Sequence, residues 1–259
     1  MELKLPIEIS RGYSSVSQQI WVMTETWVSR FIFCPNCGNN LCNFEKNKPV
    51  ADFFCSRCLE EYELKAKKEK FGKKIVDGAY DSMIGRLNAY NNPNFFFLAY
   101  ENTSLEVKNF LAIPNYLFTP GIIEIRKPLN PTARRAGWVG CNIIMEDIPE
   151  FGKIYYVQNG VMKNKNDVLN RWSKTSFLKN THDIEIKGWL LDVLVCVEKI
   201  KKKEFSLEEM YVYESYLKAK HPANNNIQAK IRQQLQFLRD KNILEFVGRG
   251  KYRMTNDFS

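Results

Sequence analysis

The chain has 259 residues, of which 44% are hydrophobic and 26% are charged, a composition typical of globular proteins with one or two domains. No apolar run approaches the roughly 20 residues that a membrane-spanning helix needs, and the N-terminus carries no signal-peptide core, so we expect no membrane partner, no export and a cytoplasmic location. The net charge of +9 favours a polyanionic partner.

The first predicted element is a helix over residues 18–31, in which apolar side chains recur at helical spacing. Glu25 lies on this helix and is a candidate for an acid that faces a metal site. A solvent-facing glutamate is the commoner case, because acidic residues mostly lie on protein surfaces. The role of Glu25 therefore stays open from the sequence.

Two pairs of cysteines follow, and two residues separate the members of each pair. Cys34 and Cys37 form the first pair, and Cys55 and Cys58 form the second after a gap of seventeen residues. This spacing is typical of four-thiolate zinc sites, whereas buried apolar thiols do not explain two matched pairs. Four thiolates leave no open coordination position, so we predict a structural Zn²⁺. Cys42 lies outside both pairs and is predicted to pack in the core.

An acidic pattern is interleaved with the cysteines. Asp52 is predicted on a strand over residues 50–54 and is separated by ten residues from Glu63. Glu63 and Lys65 share one face of a second strand, predicted over residues 61–67, because side chains alternate along a strand. This hairpin is similar to the metal-dependent nucleases known as PD-(D/E)xK, although charged strands also produce such a pattern by chance.

The residue types in this pattern fit phosphodiester hydrolysis. Mg²⁺ prefers carboxylate and carbonyl oxygens, which Asp52, Glu63 and the backbone of Leu64 can supply. A metal held there polarises a phosphate and lowers the pKa of a bound water. Lys65 is then placed to orient that water or to neutralise charge that develops on the phosphate. We therefore predict Asp52, Glu63 and Lys65 as catalytic residues.

The central part of the chain predicts an α/β fold with a mixed sheet. A helix is predicted over residues 77–90 and strands over 95–100, 107–113 and 153–158. Residues 162–183 are polar and are predicted to form an irregular connection.

Residues 131–142 lie between these strands and show neither helical nor strand periodicity. Arg134 and Arg135 can pair with phosphates or with guanine edges, and Trp138 offers an apolar face to a base or a methyl group. A tryptophan that fills the core beneath a loop, beside two surface arginines, explains the segment equally well. The sequence leaves both interpretations open.

The last part of the chain predicts a separate winged-helix domain. Helices are predicted over residues 188–201, 206–220 and 226–242, followed by a basic β-hairpin over 243–253. We place the domain boundary at residues 180–183, which gives domains 1–183 and 184–259. The histidines, His182 and His221, lie in linker-like contexts, so histidine-driven catalysis is not expected.

The third of these helices is the predicted DNA-reading element, and the hairpin is the predicted wing. The outward face of this helix is rich in glutamine and arginine. A solvated polar face is the alternative, but these two residue types favour base reading because they make bidentate contacts to purine edges. The candidate DNA-binding residues of this domain are Gln228, Arg232, Gln233, Gln236, Arg249, Lys251 and Arg253.

Six blocks of the sequence resemble the DpnI-like family of methyl-directed (type IIM) restriction endonucleases. The blocks are residues 34–40, 49–53, 91–98, 131–142, 231–235 and 248–253. The resemblance implies cleavage of double-stranded DNA at GATC only when adenine carries an N6-methyl group. It also implies a catalytic PD-(D/E)xK domain with structural zinc and a C-terminal winged helix that both read the methylated site. Trp138 falls in the block associated with methyl sensing.

Two other functions remain compatible with the residues. A zinc-ribbon and winged-helix protein can be a transcriptional regulator without catalytic activity, in which case Glu63 and Lys65 have no catalytic role. A relaxed nuclease that acts on unmodified DNA or RNA is the second alternative. We expect a monomer, although the sequence contains no direct signal of oligomeric state.

Overall fold

The computed structural model describes residues 2–45, 51–87, 89, 92–179 and 183–255. Three sequence-based expectations lie outside these residues: the strand start at Val50, the position of His182, and the boundary segment 180–182.

The part of the chain before residue 180 folds as an α/β unit. Its helices and strands, in chain order, are α1 (Val16–Phe31), β1 (Cys42–Asn43), β2 (Phe53–Phe54), β3 (Glu61–Lys68), β4 (Lys74–Ala79), α2 (Tyr80–Leu87), β5 (Asn94–Tyr100), β6 (Val107–Ile113), β7 (Ile123–Ile125), β8 (Gly140–Ile144), β9 (Ile154–Gln158), β10 (Val161–Met162) and α3 (Lys165–Thr175).

Within the described residues, seven strands form one mixed sheet in the order β1-β2-β3-β5-β6-β9-β10. The β3–β5 pair is parallel, and the neighbouring pairs are antiparallel. Strand β5 is buried along its whole length, which explains its nearly continuous apolar sequence. A smaller sheet in the order β4-β8-β7 covers part of this unit.

The two faces of the large sheet pack against different partners. Phe96 and Leu98 face the side of α1 and α3, whereas Phe95 and Phe97 face the smaller sheet and the C-terminal part of the chain. Because paired residues of neighbouring strands point to the same face, the β3 residues opposite Phe95 and Phe97 also face the smaller sheet. Those residues are Glu63 and Lys65.

The C-terminal part forms a winged helix. Its elements are α4 (Ile184–Ile200), β11 (Glu204–Ser206), α5 (Leu207–Tyr211), α6 (Glu214–Lys220), α7 (Ile227–Asp240), β12 (Leu244–Gly248) and β13 (Lys251–Met254). The strands pair in the order β11-β13-β12. The predicted capping box is present, with the side chain of Ser206 accepting from the backbone of Glu209 and that of Glu209 accepting from the backbone of Ser206. The α/β class with a winged helix, predicted from the sequence, is confirmed.

The two parts share one hydrophobic cluster and several polar contacts. The carboxylate of Glu198 on α4 accepts backbone N–H groups from Glu150 at 2.7 Å and from Phe151 at 3.1 Å. Lys220 on α6 forms ion pairs with Asp147 at 2.8 Å and with Asp192 at 3.0 Å. The winged helix is therefore docked against the α/β unit through buried contacts.

The predicted helix over residues 77–90 is wrong in its first part. Strand β4 continues to Ala79, and only α2 is helical. Ile75 and Asp77 are buried, whereas Val76 is exposed, which is the alternation of a strand. Pairing with β8 fixes this segment, and that pairing is invisible from local sequence.

The predicted irregular connection over residues 162–183 is also wrong. It contains α3, whose N-cap residue Asn164 accepts a backbone hydrogen bond from Asp167. Val168 and Trp172 are buried on one face of this helix, four residues apart. Together with the half-buried Leu169, they form an apolar stripe that docks a helix whose other residues are polar.

Three smaller expectations change. The helix predicted over residues 206–220 is divided into α5 and α6. Cys42 is exposed rather than packed. His221 lies in the connection between α6 and α7, but its ring is packed: it stacks on Trp189 with centroids 3.8 Å apart, and its Nε2 lies 2.8 Å from Asp192. Among the described residues no helix has the length and apolar character needed to cross a bilayer.

Candidate active site and zinc site

The two cysteine pairs form two similar turns. In the first, the N–H of Gly38 donates to the carbonyl of Cys34 at 2.8 Å, and in the second, the N–H of Leu59 donates to the carbonyl of Cys55 at 2.9 Å. Gly38 and Leu59 both adopt positive φ, +74° and +62° respectively. Such turns expose sulfur atoms on one side, as zinc knuckles require.

The four sulfur atoms of Cys34, Cys37, Cys55 and Cys58 lie within 4.8 Å of one another. A zinc ion about 2.3 Å from each sulfur fits this cluster. Burial raises the pKa of Cys34, while burial of Cys55 is outweighed by backbone N–H groups that lower its pKa to about 7. Closely packed thiols of this kind need a metal to hold them as thiolates. The cluster fits the structural zinc predicted from the sequence.

Asp52 lies immediately before β2 and reaches the edge of β3. Its Oδ2 accepts the backbone N–H of Leu64 at 2.6 Å. Burial raises the pKa of Asp52, and the neighbouring charge of Glu63 acts in the same direction. Within a strand the N–H and C=O of one residue point to the same side. The carbonyl of Leu64 is therefore directed to the side of β3 where Asp52 lies.

Glu63 and Lys65 belong to a cluster of four charged side chains. Lys65 Nζ lies 2.6 Å from Glu63 Oε1 and also forms an ion pair with Asp77 on β4. Arg86 on α2 donates to Glu63 Oε2 at 2.9 Å. Burial opposes the charged form of Lys65, but Glu63 and Asp77 together raise its pKa above the ordinary value. Lys65 is thus held as an ammonium ion.

A cavity of about 450 Å³ opens beside Asp52. Its walls include Trp21 and Glu25 on α1, together with Leu64 on β3. Glu25 is half-buried and lines this cavity with Asp52, whereas Glu63 and Lys65 do not line it. Its role remains a prediction.

Trp138 lies in the loop that connects β7 to β8. The loop is closed by backbone hydrogen bonds from Leu129 N to Trp138 O at 2.9 Å and from Gly137 N to Leu129 O at 3.1 Å. The ring of Trp138 covers Gly140 so closely that a Cβ there would lie 2.7 Å from it. The ring is half-buried, while Arg134 and Arg135 are exposed. The ring of Trp138 therefore packs against Gly140 and remains partly accessible to a ligand.

The outward face of α7 is as predicted, with Gln228, Arg232, Gln233, Gln236 and Arg239 all exposed. Of the ten predicted DNA-binding residues, Arg135 lies over the ring of Trp138, 5.9 Å from its centroid, and three others have side-chain hydrogen-bond or ion-pair partners in the protein. Gln228 donates to Glu214 at 2.8 Å, Arg232 donates to the hydroxyl of Tyr211 at 2.6 Å, and Arg253 pairs with Glu204 at 2.7 Å.

The two wing residues, Arg249 and Lys251, are exposed beside Gly250, which has a φ of +69°.

Sequence reasoning missed Asp77 and Arg86. Neither residue was assigned to the site, because a single helix was predicted over residues 77–90. The signal in the sequence was the run Ile75-Val76-Asp77, in which two β-branched residues precede an acid. Such a run favours a strand over a helix.

Two comparisons with protein families agree with this geometry. The model described as DpnI, Dam-replacing family, matches residues 1–181. The model described as the Dam-replacing HTH domain matches residues 185–254. The first match covers more than half of the chain. The chain therefore belongs to the DpnI, or Dam-replacing, family, and this membership supports a methyl-directed restriction endonuclease.

Proposed function

We propose that the protein is a Mg²⁺-dependent endonuclease that cuts both strands of DNA at GATC sites carrying N6-methyladenine. Family membership supports methyl-directed cleavage, and the helix-turn-helix domain supports DNA as the partner. We also propose that it acts as a cytoplasmic monomer with a domain boundary near residue 183. The observation that carries the proposal is the hydrogen bond that brings Asp52 to β3 between Glu63 and Lys65.

Asp52, Glu63 and the Leu64 carbonyl are the proposed Mg²⁺ ligands. They supply two carboxylates and one carbonyl, the hard oxygen donors that Mg²⁺ prefers. The metal, when bound, polarises the scissile phosphate and acidifies a bound water. Glu63 accepts hydrogen bonds from Lys65 and Arg86, so a metal held by this carboxylate would compete with these two cations.

Lys65 is proposed to act as a cation rather than as a base. Glu63 and Asp77 raise the pKa of Lys65 against the opposing effect of burial, which favours its protonated form. An ammonium ion at this position stabilises the negative charge that develops on the phosphate oxygens. The acidic neighbours keep the side chain oriented toward the edge of β3.

Methyl recognition is proposed to involve both domains. An N6-methyl group adds one apolar carbon, and burying it is worth only about 0.8 kcal/mol. Trp138 supplies an apolar wall in the first domain, and α7 reads the major groove in the second. Two readers multiply a discrimination that one contact cannot provide.

The decisive test uses plasmid DNA from a host that methylates GATC and the same plasmid from a host that does not, each with Mg²⁺. The proposal predicts cleavage of the methylated plasmid alone, and no cleavage by Asp52→Ala. Binding without cleavage by the wild-type protein would instead indicate a regulator. Equal cleavage of both plasmids would indicate a relaxed nuclease.

A further inference from the structure

Asp77 is a buried acid that the proposed mechanism does not yet use. Its side chain is 1% exposed, and it lies on β4, opposite Cys141 of β8. One carboxylate oxygen, Oδ1, forms the ion pair with Lys65. The other, Oδ2, has no hydrogen-bond partner among the described residues.

Burying such a group destabilises the folded state. A carboxylate removed from water loses its hydration, and buried polar atoms are almost always satisfied. A buried ion pair is often no more stabilising than apolar side chains of similar volume. The position of Asp77 is therefore not explained by stability, and an unsatisfied buried acid beside an active-site lysine points to a role in that site.

The backbone that carries Asp77 is firmly held. Strand β4 pairs with β8 on both sides of a bulge between Asp77 and Ala79. The N–H of Tyr80 donates to the carbonyl of Val139 at 3.1 Å, so the end of β4 is fixed to the loop that carries Trp138. A carboxylate on such a strand has little freedom to move away from Lys65.

The two anions around Lys65 differ in what else they do. Glu63 is also bonded to Arg86 and is a proposed metal ligand, so a bound metal would compete with Lys65 for its carboxylate. Asp77 lies on a different sheet from Glu63 and forms an ion pair with no other cation among the described residues. It would therefore remain paired with Lys65 if Glu63 bound a metal.

We propose that Asp77 is a positioning residue that holds the Lys65 ammonium group at the edge of β3 during cleavage. This inference rests on the proposed function, because it assigns Asp77 a role through Lys65. Loss of a residue that orients another in this way typically costs about 10- to 100-fold in activity. The loss is expected in the cleavage step, because Asp77 is too deeply buried to contact DNA.

The test compares Asp77→Asn, which keeps the shape, with Asp77→Glu, which keeps the charge. Single-turnover cleavage of a methylated duplex is measured with Mg²⁺, and binding to the same duplex is measured with EDTA. Asp77→Asn is expected to cleave about 10- to 100-fold more slowly with nearly unchanged binding. Asp77→Glu is expected to be the more active of the two. The matched control is Glu124→Gln. Glu124 lies on the same small sheet, and its carboxylate pairs with Lys74 and Asn142. This variant is expected to cleave at the wild-type rate.

If Asp77 only fills space, Asn is the better replacement, and Asp77→Asn will be more active than Asp77→Glu. That order, or a wild-type cleavage rate for folded Asp77→Asn, overturns the inference. Melting temperatures identify any variant that does not fold. If one of the two does not fold, the cleavage rate of the other is compared with that of Glu124→Gln. If the wild-type protein cleaves no methylated DNA, the proposed function itself has failed. If it does cleave and Lys65→Ala abolishes cleavage while folded Asp77→Asn cleaves at the wild-type rate, only this inference has failed.

Discussion

The zinc cluster and the charged cluster are two four-membered groups associated with the β2–β3 hairpin. The four sulfurs come from two short turns that form alike. The four charged side chains come from three separate elements, β3, β4 and α2. The first group is built by local spacing and the second by tertiary packing. A single substitution should therefore damage folding in the first group and chemistry in the second.

The largest effect is expected from Cys55→Ala. A structural zinc contributes on the order of 10 kcal/mol of apparent binding free energy, and Cys55 lies three residues after Asp52. We expect loss of the bound zinc, loss of the ordered hairpin and loss of cleavage together, as checked by metal analysis and thermal unfolding. Cys42→Ala is the matched control, because Cys42 is exposed and outside the cluster. An active Cys55→Ala protein that retains one zinc would contradict this role.

Asp52→Ala should separate chemistry from folding. Because a metal ion can supply several kcal/mol of transition-state stabilisation, we expect cleavage to fall at least about a thousandfold, or roughly 4 kcal/mol. The melting temperature should change little, because relief of the burial that raises the pKa of Asp52 offsets the loss of its hydrogen bond from Leu64. Asp81→Ala, which removes an exposed acid of α2, is the control. Cleavage by Asp52→Ala at ordinary Mg²⁺ concentration would remove Asp52 from the site.

The same contrast explains how much could be predicted from the sequence. The cysteine spacing, the strand alternation of Glu63 and Lys65, and the three helices and hairpin of the winged helix are local patterns, and they predicted the fold class. Asp77 entered the site because β4 pairs with β8, more than sixty residues later in the chain. Helix α3 was missed because its few apolar residues, Val168, Leu169 and Trp172, matter only when they pack against the rest of the fold. Pairings between distant segments are set by packing, which local periodicity does not encode.

A smaller effect is expected from Gln233→Ala on α7. A good bidentate contact to a base is worth about 1–3 kcal/mol of discrimination, and Gln233 is exposed on the outward face. We expect weaker binding to the methylated site, measured by titration of labelled duplex, with little change in nonspecific binding. Gln228→Ala is the matched comparison, because its amide is engaged by Glu214 and should matter less. Equal losses for both variants would argue against base reading by Gln233.

The smallest effect is expected from Trp138→Ala. One buried methyl carbon is worth about 0.8 kcal/mol, which corresponds to about fourfold in preference. The ratio of cleavage rates on methylated and unmethylated sites should fall by at least this factor, while nonspecific binding stays nearly constant. Trp138→Phe keeps an apolar wall and should recover part of the preference. An unchanged ratio would mean that Trp138 only supports the loop above Gly140.

The most direct test of the central claim is single-turnover cleavage of three duplexes that share one GATC sequence and differ only in N6-methylation. One duplex is methylated on both strands, one on a single strand and one on neither. Each duplex is tested at the same Mg²⁺ concentration with the wild-type protein and with Asp52→Ala. The account predicts that the rate falls in that order, and that Asp52→Ala cleaves none of the three. Equal rates on all three duplexes, or cleavage that survives loss of Asp52, would contradict it.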